Sequence, residues 1–232
     1  MLRACYYVDG FNLYYGSLIK TKNKWLDLNK LFSLYYPNYK IEKIKYFSAL
    51  TKGRKHDLNK PVRQQTYFRA LRTNPNTEII LGSFLENEVY FHVPEKTRLK
   101  QQQKVNVLSL FKIPAYLPLF GKNYLAVNKT EEKGSDVNLA AHLVMDAYEN
   151  NFDVAVVVSN DSDLVEPIRI VNNMTKLRVR LLNPYSMTQS TLKMVTQQNG
   201  IKYIRGKALQ NAQFPVNMTD STGNFYIPPE WK

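Results

Sequence analysis

Four aspartates stand where a parallel β-sheet would bring carboxylates together. Asp9 ends the first apolar run of the chain, and Asp136 opens a helical pattern. Asp161 and Asp163 follow residues 154–158, a continuous run of Val and Ala that is typical of a strand buried on both faces. Carboxylates in such positions either hold a hard divalent cation or cap a helix. The type and placement of these residues therefore make a metal site the first hypothesis to weigh.

Taken singly, each aspartate has a purely structural interpretation. Asp163 would cap a helix with Glu166 as its reciprocal partner, and Ser135 or Asp136 would cap the helix before it. Taken together, clustered carboxylates repel one another and raise one another's pKa unless a cation neutralises them. The chain has one cysteine and three scattered histidines, so an all-oxygen site for Mg²⁺ or Mn²⁺ is favoured over a zinc site.

The elements that must position these aspartates alternate along the chain. Candidate strands are residues 5–9, 41–49, 78–84, 153–159, 177–183 and 201–205, and candidate helices are residues 28–36, 61–72, 136–150, 163–174 and 186–198. This alternation predicts an α/β protein with a mainly parallel sheet covered by helices. Because ligands of such sheets bind at the carboxyl ends of the strands, we expect all four aspartates to meet at that edge.

The length of 232 residues predicts one large domain, and two stretches depart from its pattern. Residues 86–130 combine short β-like pieces, a basic polar stretch and prolines, which indicates an insertion or hairpin beside the sheet. Residues 207–232 are rich in Asn, Gln, Thr and Pro and predict an irregular C-terminal tail. No apolar run reaches membrane-spanning length and no signal peptide is evident, so we expect a cytoplasmic protein without a membrane partner.

The charge of the chain indicates a polyanionic partner. Lys and Arg number 32 against 19 Asp and Glu, which gives a formal charge of +13. Basic residues are concentrated in residues 40–72, and residues 167–219 contain no acidic residue. A surface of this kind can track a nucleic-acid backbone, but charge alone does not identify a reaction.

Three motifs resemble the NYN-domain family, in particular its LabA-like branch within the PIN-like nuclease superfamily. They are YVDGFNLYYG at residues 7–16, EEKGSDVNLA at residues 131–140 and VSNDSDL at residues 158–164. The resemblance spans residues 4–206 and implies that residues 1–206 adopt a three-layer α/β/α PIN-like fold. It also implies Mg²⁺- or Mn²⁺-dependent cleavage of RNA, single-stranded or structured, that leaves a 5′-phosphate. Asn160, where relatives often have glycine, and His142, where many have aspartate, depart from the pattern.

The resemblance also implies roles for individual residues. Metal-site roles carry over to Asp9, Asp136, Asp161 and Asp163, with Asn12 as their polar neighbour. The leading hypothesis is an endoribonuclease that hydrolyses a phosphodiester bond with metal-activated water. For contact with the RNA backbone, the basic residues singled out are Lys133, Arg54, Lys55 and Arg63.

Two other functions stay open at this stage. A Mn²⁺-dependent nucleotide-sugar transferase would hold a diphosphate with Asp161 and Asp163, but that reading leaves Asp9, Asp136 and the basic charge unexplained. A non-catalytic RNA-binding module would keep the fold with a vestigial acidic cluster, against which the intact carboxylates argue. The number of metal ions and the oligomeric state are also open.

Overall fold

The computed structural model describes residues 1–53, 57–92, 124–174, 177–196 and 200–232. The chain forms two compact units, one of residues Met1–Ser83 and Lys133–Lys232 and one of residues Phe84–Glu132. The second unit covers the stretch 86–130 in which an insertion or hairpin is expected, and residues 93–123 of that stretch lie outside the described residues. No helix in the described ranges is long and apolar enough to span a bilayer.

Strands and helices alternate through the described residues. The strands are β1 (Leu2–Asp9), β2 (Tyr39–Ala49), β3 (Thr77–His92), β4 (Tyr124–Lys133), β5 (Val154–Val158), β6 (Arg178–Asn183), β7 (Ile201–Tyr203), β8 (Asn217–Asp220) and β9 (Gly223–Tyr226). The helices are α1 (Gly10–Leu13), continued by a π-helical turn (Tyr14–Leu18), α2 (Leu28–Tyr35), α3 (Lys60–Arg72), α4 (Ser135–Tyr148), α5 (Val165–Asn173), α6 (Ser190–Val195) and α7 (Gly206–Asn211). Short 3₁₀ turns cover Ser162–Leu164 and Pro229–Trp231.

Seven strands form the central sheet in the order β4-β3-β2-β1-β5-β6-β7. The pairs from β3 through β2, β1, β5 and β6 to β7 are all parallel. In this register Val8 pairs with Val158, so β1 and β5 reach their carboxyl ends side by side. The predicted mainly parallel sheet is thus confirmed, and its two central strands deliver the aspartates that follow them to one edge.

Helices cover both faces of the sheet because successive strand residues point in opposite directions. On one face Tyr6 of β1 stacks on Phe32 of α2, with ring centroids 4.1 Å apart. On the other face Tyr7 packs in a core that includes Leu143 of α4 and Ile168 of α5. All five residues of β5 are buried, as the unbroken apolar run predicted. These two cores confirm the three-layer α/β/α architecture.

Residues 207–232 differ from the expected irregular tail, because they contain α7 and the antiparallel pair β8–β9. The aromatic side chains of this segment surround Trp25, which is 1% exposed. Its ring centroid lies 5.8 Å from Phe214, 6.3 Å from Phe225 and 6.4 Å from Trp231. The polar composition that suggested irregularity supplies turns, while the few aromatic residues bury enough surface to order the segment.

The last predicted helix, residues 186–198, is shorter than expected, since α6 covers only Ser190–Val195. The side chain of Asn183 holds the preceding loop out of a helical conformation. Its Oδ1 accepts a hydrogen bond from the Tyr185 backbone N–H (2.7 Å), and its Nδ2 donates to the Met187 carbonyl (3.1 Å). Local side-chain bonds of this kind compete with helix formation.

Candidate metal centre

Asp9 is held firmly at the junction of β1 and α1. Its Oδ1 accepts a hydrogen bond from the Asn12 backbone N–H (2.9 Å), as an N-cap does, and its Oδ2 accepts one from the Ser159 hydroxyl (3.0 Å). The residue is 5% exposed. Gly10 permits close approach of this backbone to Tyr46, because an added Cβ would lie 2.6 Å from the Tyr46 ring. Asp9 is therefore a buried carboxylate in a fixed orientation.

Asn12 connects Asp9 to the loop after β5. Its Oδ1 accepts a hydrogen bond from the Asn160 backbone N–H (2.9 Å). Asn160 in turn accepts bonds at its own Oδ1 from Asn183 Nδ2 (2.9 Å) and from the Gln189 backbone N–H (3.1 Å). The asparagine at position 160, a departure from the family pattern, thus ties this loop to β6. The roles of Asn160 and Asn183 have no signal in the sequence beyond their residue type.

Asp161 caps the 3₁₀ turn that follows β5. Its backbone N–H donates to the Ser159 hydroxyl (3.1 Å), and its Oδ1 accepts a hydrogen bond from the Asp163 backbone N–H (3.0 Å). Ser159 therefore contacts both Asp9 and Asp161 and sets their spacing. Sequence reasoning missed Ser159, whose burial is complete.

Asp136 lies in the first turn of α4. Gly134, immediately before that helix, has a φ of 90°, a left-handed conformation that favours glycine. The Gly134 carbonyl accepts the first helical bond from the Asn138 backbone N–H (2.8 Å). The helix therefore begins at Ser135, and the position of its N-terminus determines where Asp136 lies.

Asp9, Asp136 and Asp161 come together in the folded chain. Each offers one carboxylate oxygen, and these oxygens lie within 4.8 Å of one another. Asp9 is buried, and the other two are half-buried. Three oxygen donors in this arrangement suit a hard divalent cation such as Mg²⁺ or Mn²⁺, and they could hold one between them.

The fourth predicted ligand, Asp163, is exposed and is not one of the three clustered carboxylates. Asp161 caps the 3₁₀ turn with an extended backbone, whereas Asp163 lies within the turn, so the two side chains are not directed alike. Its contribution visible here is the backbone N–H bond to Asp161. The structure thus groups three of the four predicted aspartates.

The basic residues singled out for RNA contact have different surroundings. Lys133 is exposed and precedes Gly134, near the start of α4. Arg54 and Lys55 lie outside the described residues. Arg63 forms ion pairs with Asp57 (2.5 Å) and Glu230 (3.1 Å). Arg63 is thus paired with one carboxylate six residues away and one 167 residues away, and its contact with RNA stays a prediction.

A second polar cluster, which sequence reasoning missed, lies beneath the sheet against α4. Lys45 Nζ lies 2.6 Å from Asp146 Oδ2, and the Tyr7 hydroxyl donates to the same oxygen at 2.6 Å. Burial opposes ionisation of Asp146, but hydrogen bonds from Lys45, Tyr7 and Asn151 outweigh it and lower the pKa of Asp146. His142 Nδ1 lies 3.1 Å from Lys45 Nζ. Lys45 is therefore an internal charge rather than part of a basic surface.

The chain is similar to one protein family and to individual known proteins. The profile of the NYN domain family matches residues 82–202, a segment that contains Asp136 and Asp161. The 6-hydroxy-3-succinoylpyridine 3-monooxygenase HspA of Pseudomonas putida is 28% identical over 207 residues, which cover 80% of this chain and 60% of that relative. A crystal structure of a protein of unknown function from Vibrio parahaemolyticus matches with a TM-score of 0.52 at 14% identity, covering 92% of this chain and 96% of the other. That last likeness concerns the fold alone.

Proposed function

Because the chain belongs to the NYN domain family, a family of PIN-like nucleases, we propose that it is a divalent-metal-dependent endoribonuclease. The observation that carries this proposal is the grouping of Asp9, Asp136 and Asp161 within 4.8 Å. Family membership supports a nuclease-type activity, and the all-oxygen donor set supports dependence on Mg²⁺ or Mn²⁺. The positive net charge supports RNA as the substrate.

The residues of the proposed site have different roles. A bound Mg²⁺ or Mn²⁺ would supply an activated water and stabilise charge on the phosphate. Asp9 would be the anchoring ligand, since hydrogen bonds from Asn12 and Ser159 already fix its two oxygens. Asp136 and Asp161 would complete the set. Asp163 would act on Asp161 through its backbone N–H rather than as an equal ligand.

The substrate would be positioned mainly by its phosphates. Lys133, exposed beside the start of α4, would contact a phosphate near Asp136. The excess of positive charge would attract the remaining backbone without reading the base sequence. We expect products with a 5′-phosphate.

Restoring metal to stripped protein tests this proposal. Metal-free protein is incubated with end-labelled single-stranded RNA, structured RNA and single-stranded DNA, and Mg²⁺ or Mn²⁺ is then added. We expect internal cleavage of RNA only after metal addition, and none by Asp9→Asn. Asp153→Asn serves as the control, because Asp153 precedes β5 at its opposite end and pairs with Arg3 (3.0 Å). RNA that is bound but never cut would indicate the non-catalytic module instead.

Thermal unfolding provides a second readout of the same site. Bound cation stabilises the folded state in proportion to its occupancy, so Mn²⁺ should raise the melting temperature of the wild type at fixed ionic strength. The rise should be absent in the Asp9→Asn/Asp161→Asn double variant and intact in Asp153→Asn. An equal rise in all three proteins would show that the carboxylates do not form the binding site.

The similarity to HspA favours a second candidate, oxygen insertion into a hydroxypyridine ring. The shared segment covers 80% of this chain, although the chain spans 60% of that relative's length. Such a reaction takes one oxygen atom from O₂ and requires a two-electron donor. Oxygen uptake with 6-hydroxy-3-succinoylpyridine, a reduced nicotinamide and a flavin tests it. Substrate-dependent uptake together with no cleavage of RNA would replace the ribonuclease proposal.

A further inference from the structure

A cavity of about 230 Å³ lies between the first helix, β2 and α3, on the face of the sheet opposite α4. Its walls are largely aromatic and include Tyr14, Tyr46, Phe68 and Trp231. Gly10, the residue after Asp9, also lines it. Pockets that enclose a drug-sized ligand measure roughly 300–1,000 Å³, so this one suits a single ring system with small substituents.

Two hydroxyl groups on side chains that are buried overall face this cavity. Tyr46 is 6% exposed and Ser48 is 3% exposed, and both line the cavity from the same face of β2. Neither hydroxyl forms a hydrogen bond with another residue in the described part of the chain. The hydroxyl of Tyr67, by contrast, donates to the Leu26 carbonyl at 2.9 Å. Because both hydroxyls open on the cavity, each can donate to or accept from a ligand with hydrogen-bonding edges.

Three cationic and two acidic side chains around the mouth of the cavity leave one net positive charge. Three cationic side chains line the cavity, Lys24, Lys60 and Arg63, against one carboxylate, Asp57. Glu230 lies in the wider outer depression and pairs with Arg63. Burial lowers the pKa of Lys24, and the neighbouring charge of Arg63 lowers it further. An anionic group at this rim would favour the charged form of Lys24.

We propose that this cavity binds one nucleotide unit, with its base among the aromatic side chains and its phosphate at the cationic rim. Bases stack on aromatic rings whatever their sequence, and their polar edges can pair with the hydroxyls of Tyr46 and Ser48. The unit is either a free nucleoside monophosphate or one residue of an RNA strand. This inference concerns binding alone, so it holds whether or not the three carboxylates cleave RNA.

Calorimetric titration of the full chain in EDTA tests the proposal without catalysis. AMP and UMP are titrated into the wild type, Tyr46→Phe and Ser48→Ala. Removing one hydrogen bond to a neutral group should weaken binding roughly two- to tenfold in each variant. Tyr148→Phe and Ser33→Ala are matched controls, since both residues are exposed and lie outside the cavity, and they should bind as the wild type does. Thermal unfolding of each variant verifies that it is folded.

Tryptophan fluorescence locates the bound nucleotide. The chain has two tryptophans, and Trp231 lines the cavity whereas Trp25 is 1% exposed. We expect saturable quenching by AMP in the wild type that is lost in Trp231→Phe. Quenching that persists unchanged in Trp231→Phe would place the nucleotide elsewhere and overturn the proposal.

A short RNA oligonucleotide distinguishes the two sources of the nucleotide. If the cavity takes a residue of an RNA strand, Tyr46→Phe weakens oligonucleotide binding as well, and AMP competes with the oligonucleotide. If it takes a free nucleotide, the variant weakens only AMP or UMP. Unchanged affinity of Tyr46→Phe and Ser48→Ala for every one of these ligands, or no saturable binding to the wild type, overturns the proposal.

Discussion

At the scale of single residues, Asp9 does two things with one carboxylate. Its Oδ1 caps α1 through the Asn12 backbone N–H, and its Oδ2 accepts the Ser159 hydroxyl bond. A carboxylate accepts bonds through more than one lone pair on each oxygen, so these contacts leave capacity for a cation. The capping role and the proposed metal role are therefore compatible, although sequence reasoning weighed them as alternatives for the other aspartates.

Substitution of Asp161 and of Asp163 tests which of the two carboxylates is a metal ligand. Asp161→Asn should lower ribonuclease activity by at least about 100-fold, because outer-shell partners alone typically account for 10–100-fold. Asp163→Asn should lower it far less, since the backbone N–H that supports Asp161 remains. Single-turnover cleavage rates at saturating Mn²⁺ provide the measurement. An equal loss of cleavage rate in the two variants would show that Asp163 is a metal ligand as well.

At the scale of secondary-structure elements, the start of α4 sets the direction of Asp136. An added Cβ at Gly134 would meet no atom within 4 Å, so the cost of a larger residue there comes from the backbone alone. An added Cβ at Gly206, the first residue of α7, would likewise meet no atom within 4 Å, and φ is not positive there. These two glycines therefore make a matched pair.

Gly134→Ala should destabilise the fold and weaken the metal site. An L-residue in a left-handed conformation costs about 1–2 kcal/mol, and relaxation of the turn would shift Asp136. Chemical denaturation and Mn²⁺ titration measure the two effects. Gly206→Ala should lose neither stability nor metal affinity. If the Gly134→Ala protein bound Mn²⁺ with wild-type affinity, Asp136 would not be a ligand of the metal site.

Helix α4 is also joined to β2 through Asp146 and Lys45, and this link should depend on pH. The pKa of Asp146 is lowered in the folded state, so its ionisation contributes stability above the unfolded value of about 3.9, and that contribution is lost as pH falls through the folded pKa. Asp146→Asn leaves Lys45 without its carboxylate, which typically costs about 3 kcal/mol or more for a buried pair.

Urea denaturation of wild type and Asp146→Asn across pH measures this effect. The difference in free energy of unfolding should be large at pH 7 and should shrink at acid pH, where the wild-type carboxyl is protonated too. Glu149→Gln, at the exposed end of α4, should change stability little at any pH. A difference that is the same at neutral and acid pH would assign the loss to packing rather than to charge.

At the scale of the whole molecule, the positive charge is less uniform than its total suggests. Several of the basic residues in residues 40–72 are already paired with carboxylates, as in the contacts of Arg69 with Asp220 (2.6 Å) and of Lys43 with Glu78 (3.7 Å). The net charge of +13 remains after all such pairing, because ion pairs leave the sum unchanged. Attraction of RNA should therefore be long-range and only partly tied to particular side chains.

RNA binding should weaken steeply with salt, because phosphate contacts release counterions. Lys133→Gln should reduce the slope of log affinity against log salt by about 0.7, the value for one contact to a single strand. Lys30→Gln is the control, since Lys30 pairs with Asp27 (3.4 Å) and lies on α2. Filter binding in EDTA at several KCl concentrations gives both slopes. An affinity that does not change with salt would argue against backbone tracking.

Local pattern and chain direction were enough to determine the fold class, and they predicted that four aspartates meet at one edge of the sheet, where the structure groups three. Strand and helix periods are readable in a single sequence, and parallel strands must end at the same edge of a sheet, which places Asp9 and Asp161 together. The roles of these residues in catalysis are still predictions. The features that could be predicted from the sequence are therefore those that depend on residues close together along the chain.

Tertiary structure alone decided what depends on neighbours in space. Arg63 is neutralised by Glu230, 167 residues away, and the segment 207–232 is ordered by packing on Trp25. Asp163 lies within the 3₁₀ turn that Asp161 caps and is not grouped with the other carboxylates, a difference that residue type does not show. Such contacts form between segments that are far apart in the sequence. They stabilise only the folded chain, so the sequence pattern does not predict them.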